Sequence, residues 1–169
     1  MKTQNVILLI LMMALAPIAL AGGQAKTKGT AAGRTLKVKV NYTGSGVVDE
    51  KHQVYVLLPD ANPYTSSTLV DATAQSTPPA AQPGVAHLIA RQGAAGKDKT
   101  VIFRDLPVSP VYVVAFLDKD GTSKGQLEFA SKVPMGIYGP APEKLEPVKI
   151  DPGKTVQIVL KFDDSRTTP

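Results

Sequence analysis

Residues 100–121 read TVIFRDLPVSPVYVVAFLDKDG, and the fold follows from how their apolar positions alternate. Across residues 99–105, Val101 and Phe103 share one face, and the period of two marks a half-buried strand. Across residues 111–118, Val111, Val113, Ala115 and Leu117 alternate with Tyr112, Val114 and Phe116. Both faces are apolar, which predicts a central strand covered from two sides. Residues 106–110 connect the two strands, and Asp118-Lys119-Asp120-Gly121 ends the second in turn chemistry.

The same periodicity extends outward. In RTLKVKVNY at 34–42, Leu36, Val38, Val40 and Tyr42 oppose Lys37, Lys39 and Asn41. HQVYVLLP at 52–59 is apolar on both faces and predicts a second central strand. VAHLIAR at 85–91 and KTVQIVLKF at 154–162 read as further strands, the latter led in by the turn Asp151-Pro152-Gly153. LEFASK at 127–132 is a weak strand. Residues 59–84 carry five prolines among Ala, Ser and Thr, and only Tyr64, Leu69 and Val70 could anchor them. An excursion of that length is either functional or loosely ordered. Residues 92–98 read as a Gly-rich turn, residues 133–147 as irregular, and residues 163–169 as a polar tail. About seven short strands with no helical pattern predict an all-β, antiparallel sandwich.

Lys2, the apolar run at 6–16, Pro17 and the Ala19-Leu20-Ala21 site form the pattern of a secretory signal peptide over 1–21. The run is shorter than the roughly 20 residues a membrane span needs, so no transmembrane segment is expected after cleavage. Residues 22–33 lack bulky apolar side chains and read as a flexible leader. Residues 34–164 are then one β-sandwich domain, followed by a polar tail at 165–169. These features predict an exported protein, periplasmic or extracellular. With no Cys, it holds together without disulfides. The net charge is +5, but the cations are scattered singly with no interleaved aromatic platform, so nucleic acid is not an expected partner.

FRDLP at 103–107, VYVVAFLDKDG at 111–121 and IDPGKTVQIVLKFDD at 150–164 resemble the carboxypeptidase regulatory-like and transthyretin-like (prealbumin-like) sandwich domains. PMGIYGPAP at 134–142 resembles a loop of small exported bacterial proteins of that type. The resemblance implies a Greek-key sandwich of about seven strands, a fold that hosts many functions. Transthyretin-related hydrolases end in Tyr-Arg-Gly-Ser. This chain ends DDSRTTP, which disfavours their activity.

Among chemical constellations, Asp118 and Asp120 with Glu128 downstream are candidate calcium ligands, because carboxylates one residue apart at a turn can supply two or three oxygens. An EF-hand count from Asp118 fails: position five is Thr122, six is Ser123 and twelve is Phe129. Asp49-Glu50 and Asp163-Asp164 are further acidic pairs, the second read as serving solubility. His52 and His87 are the only histidines. No Cys nucleophile, G-x-S-x-G elbow or H-E-x-x-H pair is present, so no enzyme is expected. Tyr64, Tyr112, Tyr138 and Phe129 are the notable aromatics, with Tyr112 and Tyr138 the candidate ligand contacts.

The expected function is that of a secreted, non-catalytic binding or envelope-associated structural module, whose partner is a protein or a cell-envelope surface. No cofactor is expected other than calcium. The alternatives are a calcium- or small-ligand-binding domain using the turn at 118–121, and a disfavoured transthyretin-like hydrolase. A binding module predicts apolar exposure on the 59–84 excursion or an open sheet edge. A metal module predicts converging acidic pairs. A hydrolase predicts both histidines in one cleft near Arg91.

Overall fold

A computed structural model describes residues 32–123, 125 and 132–168. The expected signal peptide, residues 22–31 of the leader and residues 127–131 of the weak strand, with Glu128 and Phe129 among them, lie outside the described residues. The protein is all-β. Among the described residues eight strands form: β1 (Arg34–Tyr42), β2 (Val54–Pro59), β3 (Thr68–Asp71), β4 (Val85–Ala94), β5 (Asp98–Leu106), β6 (Val114–Leu117), β7 (Met135–Ile137) and β8 (Thr155–Phe162). No helix there is long and apolar enough to cross a membrane.

The strands make two sheets, of three strands in the order β5-β1-β8 and five in the order β3-β4-β2-β6-β7. Both sheets are mixed, which corrects the expectation of antiparallel pairing. β8 runs parallel to β1 from Thr35 opposite Thr155 to Tyr42 opposite Phe162, and β3 runs parallel to β4. Parallel neighbours need a crossover of a dozen or more residues. Residues 72–84 are that crossover for β3 and β4, which explains the length of the proline-rich excursion. β8 is separated from its parallel partner β1 by most of the chain, and residues 138–154 bring it from β7 to the start of β1, where Gly153 N donates to Ala32 O and Thr35 N to Lys154 O.

Three further departures have local causes. β4 continues through Gly93 and Ala94, so only residues 95–97 turn the chain from the five-stranded sheet into β5 of the other. The irregular 133–147 stretch contains β7, which pairs with β6 with Val114 opposite Ile137. The polar tail is also seated: Met135 N donates to Arg166 O at 2.9 Å, Thr168 N donates to Val133 O at 3.0 Å, and Thr168 is buried. The tail thereby covers the outer edge of β7, one of the ways a sheet edge is kept from pairing with another chain.

One hydrophobic cluster draws on both sheets, with Leu36, Val38 and Val40 of β1 and Ile158, Leu160 and Phe162 of β8 joining Val54, Val56 and Leu58 of β2. The alternation along β1 is complete: its other face carries the partly exposed Thr35, Lys37, Lys39 and Asn41. β2 and β6 are buried on both faces. Their outward residues build two smaller clusters, Leu57, Leu88, Phe116 and Val133 in one, Val114, Met135, Ile137 and Leu145 in the other. Gly136 is required at its position, because a Cβ there would stand 2.7 Å from the Phe162 ring.

Tyr42 locks the end of β1. Its hydroxyl donates to Asp164 and accepts from Gly46 N at 3.0 Å, and the Asp164 carboxylate also accepts from Ser45 N at 2.8 Å and Ser45 Oγ at 2.7 Å. Lys97 Nζ lies 5.4 Å from the Tyr42 ring centroid and donates to Gly44 O. Asp164 is therefore a structural acceptor, not only a solubilising charge. The Tyr42 and Ser45 hydrogen bonds pull its carboxyl from the ordinary 3.8 down to about 2, and burial pushes the Tyr42 phenol up to about 12. A depressed carboxylate stabilises the fold above its unfolded pKa and ceases to do so as pH falls through the folded value. Stability is expected to fall between about pH 4 and pH 2, and less so in Asp164→Asn. Urea unfolding of both proteins across that window checks this; equal losses would show that Asp164 is not the titrating group.

Candidate functional site

An apolar pocket of about 270 Å³ sits on the outward face of the five-stranded sheet. Its floor is Leu57 and Pro59 of β2, Leu88 of β4 and Val114 of β6, and its walls are Leu69 of β3 with Pro63 and Tyr64 of the excursion. Register explains the floor. Leu57 lies opposite Val114 and Pro59 opposite Leu88, so these side chains meet where the strands pair. No charged side chain lines it.

The start of the excursion is held rigidly. Asn62 Oδ1 accepts from Tyr64 N at 2.9 Å, and Asn62 O accepts from Ser66 N and Ser66 Oγ at 3.2 and 2.8 Å. Asn62 Nδ2 donates to Pro142 O at 3.0 Å, tying this wall to the 139–144 loop. At its root, buried His87 places Nδ1 2.8 Å from Asp60 Oδ2, while His87 N donates to Asp60 Oδ1 at 2.6 Å. Asp60 N in turn donates to His87 O at 3.0 Å.

A second, polar groove of about 350 Å³ runs along β7, the end of β8 and the tail, with Lys161, Asp163, Ser165 and Arg166 on its rim. Met135 lines this groove and accepts a hydrogen bond at Sδ from Tyr64 Oη at 2.6 Å, so the two cavities share a side-chain wall. Burial pushes the Tyr64 phenol up to about 12, with the nearby Arg166 charge acting the other way.

The residues singled out from sequence are distributed as follows. Half-buried Tyr112 packs with Tyr64 against the Val114, Met135, Ile137 and Leu145 cluster, beside the pocket. Tyr138 packs against the inter-sheet core instead, so the two tyrosines belong to different clusters. Asp118 is 5% exposed, and its carboxylate accepts from Thr122 N at 3.2 Å and Ser123 N at 3.1 Å. Those bonds close the turn around Gly121, whose φ of 66° favours glycine. Asp120 is exposed, and no three of His, Cys, Asp or Glu gather among the described residues.

His52 lies just before β2 and His87, on β4, faces Asp60 just after it, so strand rise puts the two roughly 25 Å apart. His52 Nδ1 is 2.9 Å from Asp49 Oδ1, and His87 faces Asp60. Arg91 donates to Asp71 Oδ2 at 2.9 Å and Gly125 O at 3.1 Å. The cleft of two histidines and Arg91 that a hydrolase would require is not assembled. The pocket itself was missed from sequence. Its one signal was the apolar second face of residues 52–59 and 111–118, which must be covered by something.

No family model matches the chain, and neither a curated protein nor a solved structure is similar to it.

Proposed function

We propose that the chain is a secreted, non-catalytic binding module on a prealbumin-like Greek-key β-sandwich, and that its ligand is taken in the apolar pocket beneath the excursion. The pocket carries this proposal: a concave, largely pre-formed cavity walled by apolar side chains and fixed at its root is what small-ligand sites have in common. The core shared by the two sheets supports the sandwich, as do the transthyretin-like motifs at 103–107 and 111–121. Tyr112, on the cluster beside the pocket, is the aromatic placed to contact ligand; Tyr138 is the weaker candidate. The module works outside the cytoplasm, with a protein or a cell-envelope surface as its partner.

The test is a thermal melt with toluene as an uncharged probe. A ligand that binds only the native state raises Tm. Leu69→Trp, on the edge strand, fills the pocket and should weaken toluene binding about tenfold or more, the scale of an overpacking penalty. An undiminished Tm rise in that variant would remove the pocket as the site.

The second proposal is calcium at the turn of residues 118–121, with Asp118, Asp120 and Glu128 as the ligands, motivated by one observation: Asp118 is buried at that turn. A calcium-dependent, chelator-reversed Tm rise that Asp118→Ala/Asp120→Ala abolishes would carry it; superimposable melts would end it.

A further inference from the structure

The apolar pocket and the polar groove flank β7. Val114 of β6 walls the pocket and pairs with Ile137 of β7, while Met135 and Ile137 wall the groove. Neighbouring strands are about 4.8 Å apart, so the Val114 and Ile137 backbones, one beside each cavity, are adjacent. What separates the cavities is the Tyr64–Met135 contact, and Met135 is an unbranched side chain that adapts readily.

The chemistry of the two cavities is complementary. The pocket offers only apolar contacts at its floor. The groove sets Lys161 and Arg166 against one carboxylate, Asp163, which already accepts from Ser165 N at 2.8 Å. Neither cation makes an ion pair among the described residues. Arg166 lines the groove and its backbone carbonyl accepts from Met135 N at 2.9 Å, which sets this cationic residue next to Met135 at the partition.

Size limits the apolar part. An apolar cavity of roughly 150 Å³ holds one benzene, and drug-sized ligands need about 300–1,000 Å³. At about 270 Å³ the pocket suits one short alkyl chain and is too small for a two-chain lipid.

We propose that the site binds an anionic amphiphile, a single short-chain alkyl carboxylate whose tail fills the Leu57–Leu69–Leu88–Val114 pocket and whose head lies on Arg166 and Lys161. This names the ligand class for the binding module above and rests on that assignment. Tyr64 rotates off Met135 to open the passage, and its hydroxyl is then free to donate to the carboxylate.

Calorimetric titration of the purified protein with sodium octanoate and with 1-octanol, each as monomers at neutral pH, tests it. Octanoate is expected to bind about fivefold more tightly than octanol, the effect of one partly exposed ion pair. That preference should shrink with added salt, shrink in Arg166→Gln and disappear in Arg166→Gln/Lys161→Gln, with octanol affinity unchanged. Arg166 joins β7 through its backbone carbonyl, which accepts from Met135 N and is kept in the variant, so the variant should fold; Lys161→Gln gives an independent readout if it does not. Equal affinity for the two ligands overturns the amphiphile assignment and leaves the pocket standing. Octanoate binding that survives Leu69→Trp also overturns it, since the head alone would then be held. Binding of neither ligand overturns the pocket as well.

Discussion

Phe116→Ala is expected to lower the free energy of unfolding by about 3–5 kcal/mol, the cost of truncating a large buried aromatic side chain. Phe116 is 1% exposed, yet it faces away from the core between the sheets. It packs instead with Leu57, Leu88 and Val133 on the outward face, and its ring stacks on Tyr55 with centroids 5.8 Å apart. Leu57 and Leu88 are anchored on paired strands and Val133 is tied to Thr168, so they cannot readily collapse into the space, and both the transfer cost and the cavity cost should be felt. For a domain with about 5–15 kcal/mol of stability, roughly a fifth or more is at stake. Val159→Ala, at an exposed position of β8, should change stability by no more than about 0.5 kcal/mol. Urea titration of both variants checks the pair. A loss under about 1 kcal/mol for Phe116→Ala would mean the outward face is not a packed second core.

Asp60→Ala is the second large effect, expected at about 3 kcal/mol. The substitution strips the acceptor from the His87 backbone N and the partner from His87 Nδ1, in a residue that is only 5% exposed. A buried polar group left unpaired costs roughly 1–3 kcal/mol, and here there are two. Asp60→Asn keeps one carbonyl oxygen for His87 N and should lose less. Because Asp60 begins the excursion, the Ala variant should also become sensitive to proteolysis between residues 60 and 84, as local unfolding at the loop root becomes easier. Unfolding curves with a limited-proteolysis time course test both effects. An unchanged midpoint with unchanged cleavage would show that the pair does not hold the loop.

How far the chain could be read in advance depended on how local each feature is. β1 was legible to the residue because four core positions alternate with charged or polar ones over nine residues, and β8 repeats that pattern. β2 and β6 were legible as central strands because both their faces are apolar. β3 was not: TLVD is four residues, three of them exposed, inside a proline-rich segment. β7 is three residues behind Pro134, and the reason for its glycine is Phe162, which is remote in sequence. Strand direction was illegible, since whether residues 72–84 wander or cross over is set by where β4 pairs.

The site divides along the same line. Leu57, Leu69, Leu88 and Val114 come from four separate strands, so no spacing along the chain announces the pocket. Asp118 drew attention because carboxylates that close turns and carboxylates that ligate calcium occur in the same Asp/Gly sequences. Its bonds to Thr122 N and Ser123 N are the turn-closing kind. Asp164 was read as a solubilising residue because its partners, Tyr42 and Ser45, lie at the other end of the folded chain.

The most direct measurement is a methyl NMR titration of the Leu- and Val-labelled protein with toluene. The account predicts saturable shifts at Leu57, Leu69, Leu88 and Val114, with Val38 and Leu160 in the inter-sheet core unmoved. No shift at those four methyl-bearing residues, or saturable shifts only elsewhere, would contradict a binding site beneath the excursion.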